Sequence, residues 1–372
     1  FYSMAQIFKA TIMNEIKKNI TGLILCVAIF TAAYFTSNLI STILSGNQNS
    51  PIPTVIFAVL TGILTKNILK PHAHFEPGIS FAQKNILRLG ITFLGIRISL
   101  GDVLAYGALS IPLVIICILT VISVIKLTSQ RLKISSEMTY LMAIGTSICG
   151  ASAIIALAPV INAKKGEITY AVANIVLFGL IGMFCYPYLA ETLFDGNQKA
   201  IGLFLGTAIH DTAQVTASGL IYEQQFASST TLEVATITKL VRNSFLLLLI
   251  PIFAFAYMKD NQGKNYSLRE IFPFFVLGFI FLVTCRTAGD ELVARGFLMI
   301  SESHWQYVIS LVKTGSSICL GVAMASLGLS TDLSELNAVG YKPFLVGFLA
   351  ATAVAVSSFM VISFYVDFQY LT

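Results

Sequence analysis

Residues 206–214 read GTAIHDTAQ, running from Gly206 to Gln214 inside an apolar stretch that covers 201–222. A plain lipid-facing helix would place leucine and valine there. This one places a glycine, two threonines, a histidine, an aspartate and a glutamine. A second stretch, GTSICGAS at 145–152, has the same character, and Gly145, Thr146 and Ile148 match Gly206, Thr207 and Ile209. Glycine followed by small polar residues at depth marks backbone that leaves the helix. Such backbone is tolerated only where protein or a watery cavity surrounds it.

Charge placement leads to the same two stretches. The chain has 372 residues, of which 56% are hydrophobic and 11% charged, and its mean hydropathy is +0.82. A soluble domain carries about 25% charged residues. Apolar runs recur at 21–44, 103–127, 168–189, 245–258, 271–285 and 343–366. With about 20 residues needed per crossing, the chain reads as an all-α polytopic membrane protein of about ten or eleven membrane segments. No connector is long enough for a separate domain, so 1–372 reads as one membrane domain. Phe1-Tyr2-Ser3, ahead of Met4, read as a tag remnant, and the residues up to Asn19 as an interfacial helix.

Lysine and arginine near a crossing mark the cytoplasmic side. Lys17 and Lys18 place the N-terminus inside. The uncharged turn at 45–53 reads as outside, and the loop with Lys66, Lys70, Lys84 and Arg88 as inside. Lys126, Arg131 and Lys133 mark another inside loop. Glu191 and Asp195 read as outside, and Lys259, Lys264 and Arg269 as inside. The alternation fails at 142–162, flanked by Lys133 and by Lys164-Lys165, and at 201–222. Both conflicts vanish if each segment enters and leaves on one side or breaks midway. A further likeness links 87–107 to 320–340. Paired broken helices in inverted repeats, here with halves near 20–190 and 200–372, characterise secondary transporters.

The candidate site residues follow from this reading. His210 and Asp211 lie where an ionisable group is expensive and usually functional, so they are candidates for the substrate site and for coupling. The alternative is a solvated cap near the interface. Lys239 and Arg242, three apart in ITKLVRNSFLLLLI (237–250), share a helix face. They either neutralise an anion or snorkel to headgroups. Thr146, Ser147, Cys149, Ser152, Thr207 and Gln214 complete the candidate set, with the N-termini of the broken helices as further anion donors. The competing role of these small residues is tight helix packing. Loss of Lys239 or Arg242 is expected to abolish anion binding and leave folding intact.

Other features carry less. Asn174 and Asn243 read as helix-packing hydrogen bonds and Gly202-xxx-Gly206 as a close helix approach, while path lining is the less favoured of the readings open to Ser316-Ser317. Arg97 with Asp102 reads as a helix-end pair, and His72, His74 and Glu76 as solvated. His304 beside Trp305 reads as an interfacial anchor. The six cysteines form no CxxC pair, so neither metal nor disulfide is expected. There is no HExxH, GxSxG, P-loop or GxGxxG, so an enzyme is not expected. No basic, aromatic-studded soluble face points to nucleic acid.

Five stretches are similar to the YeiH-type family of membrane proteins, described as sulfate exporters. They are NILRLGITFLGIRISLGDVL (85–104), GTSICGASAIIALAPVI (145–161), AIHDTAQVTASG (208–219), TITKLVRN (236–243) and LSTDLSELNAVGYKP (329–343). Family members often have Glu where this chain has Asp211. The resemblance implies a secondary transporter of the bacterial inner membrane, with a sulfate- or sulfite-like oxyanion or a small carboxylate as substrate. H⁺ or Na⁺ would be the coupling ion, and no cofactor is implied. By looser analogy it implies kinship with sodium–bile acid and sodium–proton carriers, which have two crossing broken helices, and a homodimer. An anion channel, or a sensor or assembly role, are the alternatives.

Overall fold

The computed structural model describes residues 2–45, 53–258, 275–295, 301–334 and 340–367. The turn at 46–52, the connector with Lys259, Lys264 and Arg269, the start of the 271–285 run and residues 335–339 lie outside the described residues. Among the described residues the regular structure is helical and no strand occurs. Six helices are long and apolar enough to cross a membrane.

Two compact units divide the chain. The first comprises Phe1–Leu94 and Ile300–Asp332. Its helices are α1 (Tyr2–Ser45), α2 (Thr54–Leu64), α3 (Glu76–Phe81) and α4 (Leu87–Leu94), together with the later Glu302–Leu329 helix. The residues up to Asn19 continue into the span without a break, as part of α1. Gly62 and Gly328 let two helices touch through backbone, since a Cβ on Gly62 would lie 2.9 Å from the Gly328 Cα. Ser316 is buried and donates to the Gly90 carbonyl at 2.8 Å, and Ser317 donates within its own helix to Lys313. His72, His74, Glu76 and His304 are exposed.

The second unit holds α5 (Leu100–Leu132), α6 (Ser136–Ser147), α7 (Ala151–Leu157), α8 (Lys165–Leu193) and α9 (Gln198–Ala208). It continues with α10 (Thr212–Phe226), α11 (Ser229–Ser244), α12 (Leu246–Met258) and α13 (Phe275–Ala294). The Glu302–Leu329 helix of the first unit is α14, and α15 (Tyr341–Asp367) returns to the second unit. Helices α11 and α12 join at Phe245 into one span-length element, Ser229–Tyr257. Helix α13 carries Arg286, Asp290 and Glu291 and is not among the six, whereas α14 is. Arg97 pairs over a long range with Glu223 at 2.6 Å, while Ser99 caps α5 by accepting from the Asp102 amide and donates in turn to the Asp102 carboxylate.

Contacts fix how the two broken segments run. One carboxylate holds both ends of the first: Ser135 Oγ donates to Glu167 Oε1 at 2.6 Å, and the Lys164 amide donates to Glu167 Oε2 at 3.1 Å. Midway, a Cβ on Gly145 would lie 2.8 Å from Ile154. The segment α6–α7 is therefore a helical hairpin whose ends meet at the start of α8. The second segment mirrors this at the other end of α8. Thr231 Oγ1 donates to the Gln198 carbonyl at 3.1 Å where α9 begins, and Tyr222 donates to Glu191 at 2.5 Å where α10 ends. Helix α9 runs parallel to α11, since Gly202 faces Val234 and Gly206 faces Thr238. Helix α10 runs antiparallel to it, since Asn243 bonds Thr212 and Gly219 faces Leu232. Two hairpins thus enter from opposite ends of one 29-residue helix.

Gly202 and Gly206 set the α9–α11 distance: a Cβ on Gly206 would lie 2.6 Å from the Thr238 Cβ and 2.8 Å from the Ala235 carbonyl. We predict that Gly206→Val lowers stability by about 1–3 kcal/mol through overpacking. The control is Gly107→Ala, where the nearest atom would be Val241 Cγ2 at 3.9 Å. Thermal unfolding in detergent should separate the two, and equal melting temperatures would contradict the close approach.

Candidate functional site

The hairpin tips form where helix geometry stops. Helix α6 ends at Ser147, and Gly150 then takes φ +71°, a left-handed value that glycine adopts without penalty. Helix α9 ends at Ala208, after which Ile209 and Asp211 are extended. Asp211 Oδ1 accepts from the Ala213 amide at 2.8 Å and so caps α10. The tips approach each other: a Cβ on Gly150 would lie 3.0 Å from Asp211 Oδ2.

Lys239 and Arg242 sit near the middle of the span Ser229–Tyr257, with 1% and 0% of their surface exposed. Their partners are backbone carbonyls of both tips. Lys239 Nζ donates to Ile148 at 2.8 Å, to Ile209 at 3.1 Å and to His210. Arg242 Nε donates to Ser147 at 2.7 Å, Nη1 to Thr207 at 2.6 Å and Ile209 at 3.2 Å, and Nη2 to Thr146. A helix C-terminus leaves its last carbonyls unpaired and carries about half a negative charge. Two such ends, buried, require donors and positive charge, and these two side chains supply both. Neither cation has a carboxylate within ion-pair distance among the described residues.

The other candidates divide. Thr146 and Ser147 are buried and offer their carbonyls to Arg242. Thr207 also gives its carbonyl. Its hydroxyl is taken up by the Leu203 carbonyl at 2.7 Å and by Ser358 of α15 at 2.6 Å. Cys149 is buried at the first tip as a free thiol, whereas Ser152 is exposed. Gln214 Nε2 donates to the Val176 carbonyl at 3.2 Å, and its oxygen lies over Gly179 of α8. Asn174 likewise donates to the Pro343 carbonyl at 2.8 Å and lies over Gly347, a packing bond as its sequence context indicates. Asn243 donates to Thr212 at 3.1 Å.

Four buried polar atoms of this cluster have no hydrogen-bond partner: Ser147 Oγ, His210 Nδ1, Gln214 Oε1 and Asn243 Oδ1. Buried polar groups are nearly always paired, so such a concentration marks a place where another polar group belongs. Ser147 and His210, one from each tip, can donate. Sequence reasoning did not reach Ser358, whose only signal is a serine pair in the apolar 343–366 run. It also did not reach the contact of Gly150 with Asp211.

Comparison with known proteins adds identity. A family model described as Conserved hypothetical protein 698 matches residues 21–347. A UPF0324 membrane protein of Fusobacterium nucleatum is 33% identical over 309 residues, covering 82% of this chain and 88% of that protein. UPF0324 membrane proteins of Streptococcus pyogenes serotype M6 and Streptococcus mutans are each 32% identical. They cover 93% and 89% of this chain, and 97% and 92% of their own lengths. No solved structure matches. The match over most of the chain shows that this multi-pass membrane protein belongs to the Conserved hypothetical protein 698 family, the YeiH-like UPF0324 membrane proteins.

Proposed function

We propose that the protein is a secondary transporter of a small anion, with a sulfate- or sulfite-like oxyanion as the favoured substrate. One observation carries this reading. At the meeting point of the two hairpins, two buried cations hold both tips close to one partly buried carboxylate, Asp211, and to unpartnered donors on both tips. The centre has an excess of positive charge, and an excess charge away from water favours a mobile counter-charge. Hairpins entering from opposite ends of α8 also suit alternating access, in which each tip is approached from its own side. The same opposed entry supports descent from an inverted repeat.

The cations act on the anion through their charge, while their hydrogen bonds hold the tips. Ser147 and His210 would supply donors to the oxyanion. Asp211 and His210 are the coupling groups, with H⁺ or Na⁺ as the ion. The setting we propose is the bacterial inner membrane with a cytoplasmic N-terminus, and a homodimer as the assembly. The role is transport rather than catalysis, with no cofactor.

Counterflow in proteoliposomes tests this reading. Vesicles preloaded with unlabelled sulfate or sulfite should accumulate the labelled anion transiently, as a carrier does and a channel does not. No accumulation with sulfate, sulfite, thiosulfate or small carboxylates, in protein shown to be folded, would overturn it.

The geometry alters the sequence expectation for the cations. Arg242→Ala leaves several carbonyls uncovered at both tips, so it should lower stability by about 3–5 kcal/mol as well as abolish binding. Ser147→Ala removes an unpartnered hydroxyl, so it should leave the melting temperature unchanged or raised while weakening anion affinity by about tenfold, the worth of one hydrogen bond. A ligand that binds the folded state raises the melting temperature, so a thermal-shift titration reads both quantities. An Arg242→Ala protein as stable as the wild type would contradict the capping role.

A further inference from the structure

The charge at the hairpin tips restricts which anion the centre accepts and with what companion; this inference rests on the transport reading above. Lys239 Nζ donates to three carbonyls, and three donors require the ammonium form. Arg242 is a guanidinium with bonds from all three nitrogens to carbonyls. Asp211 accepts the Ala213 amide as the cap of α10 and, beside two cations, is counted as a carboxylate. Other titratable groups at the tips are Cys149 on the facing tip and His210 next in sequence. Helix α8 turns Gly179 and Gly182 toward the segments that carry Gln214 and Ile209. With His210 neutral, the centre holds two positive charges and one negative.

A monovalent anion brings this centre to neutrality with Asp211 ionised. A divalent anion would leave it with one net negative charge, and a net charge held away from water is strongly disfavoured. A proton on Asp211 removes that excess: two positive charges then meet two negative ones. Oδ1 stays engaged by Ala213, and Oδ2, the oxygen turned toward Gly150 on the other tip, takes the proton. Ser147 Oγ and His210 Nδ1, buried and unpartnered on the two tips, mark where the oxyanion's oxygens would find donors.

We propose that this centre takes a divalent tetrahedral oxyanion only together with one proton on Asp211, and a monovalent oxyanion without one. Dianion and proton then cross together, and the carboxylate returns ionised once both have left.

Sulfate and methanesulfonate form a matched pair of probes, since both are tetrahedral at sulfur and they differ by one charge. Binding of each to purified full-length protein is measured by calorimetry across pH, for the wild type and for Asp211→Asn. Asparagine caps a helix as well as aspartate does, and melting temperature verifies folding. In the wild type, sulfate affinity should fall by up to about tenfold per pH unit between about pH 6 and about pH 8, while methanesulfonate affinity stays flat. In Asp211→Asn, sulfate should bind with no pH dependence. Sulfate binding that is flat with pH in the wild type, or that keeps its slope in Asp211→Asn, would overturn the proton assignment and leave the transport reading intact. Binding of neither probe to folded wild type would count against the transport reading itself, and the inference would fall with it.

Discussion

Six backbone carbonyls at two helix breaks must find donors away from water, and Lys239 and Arg242 supply them. A buried carbonyl left unpaired costs about 1–3 kcal/mol. A buried cation without partners costs several more. Each requirement meets the other here. The breaks are tolerated because α11 carries the cations, and the cations are tolerated because the breaks expose carbonyls. Arg242 reaches both tips, and so does Lys239, so neither hairpin tip can shift alone without breaking bonds to the shared side chains.

The rest of the second unit serves that arrangement. Gly202 and Gly206 bring α9 against α11 closely enough for the Arg242 fork to reach Thr207 and Ile209. Thr238 of α11 pairs with Ser110 of α5 at 2.9 Å, and Thr207 pairs with Ser358 of α15, so neighbouring helices hold α11 and α9 in register. Gln214 and Asn174 each dock an amide onto a glycine of a facing helix. Away from water, such side-chain bonds replace the hydrophobic drive that packs helices in soluble proteins.

Much of this was legible in the sequence. The glycine-hydroxyl stretches and the failed charge alternation identified both broken segments, and the three-residue spacing put Lys239 and Arg242 on one face. What the cations touch was not legible, because their partners are main-chain oxygens and sequence carries no signal for a carbonyl's direction. The hydroxyl of Thr207 and the exposure of Ser152 depend on tertiary placement for the same reason. Helix α14 is less legible as a span because Glu302, His304, Lys313 and the Ser316-Ser317 pair dilute its apolar pattern. The long-range partner of Arg97, Glu223, lay 126 residues away, where local pairing rules do not reach.

The opposed entry of the two hairpins is the claim on which the account of the site depends. Its direct measurement is labelling of single cysteines by a membrane-impermeant thiol reagent, in vesicles of known orientation and a background without the native cysteines. Exposed positions Lys133 and Lys164 bracket the first hairpin, and exposed positions Gln198 and Ser229 bracket the second. With opposed hairpins, the first two label from one side of the membrane and the second two from the other. Labelling of Lys133 and Lys164 positions from opposite sides, or of all four from one side, would contradict it.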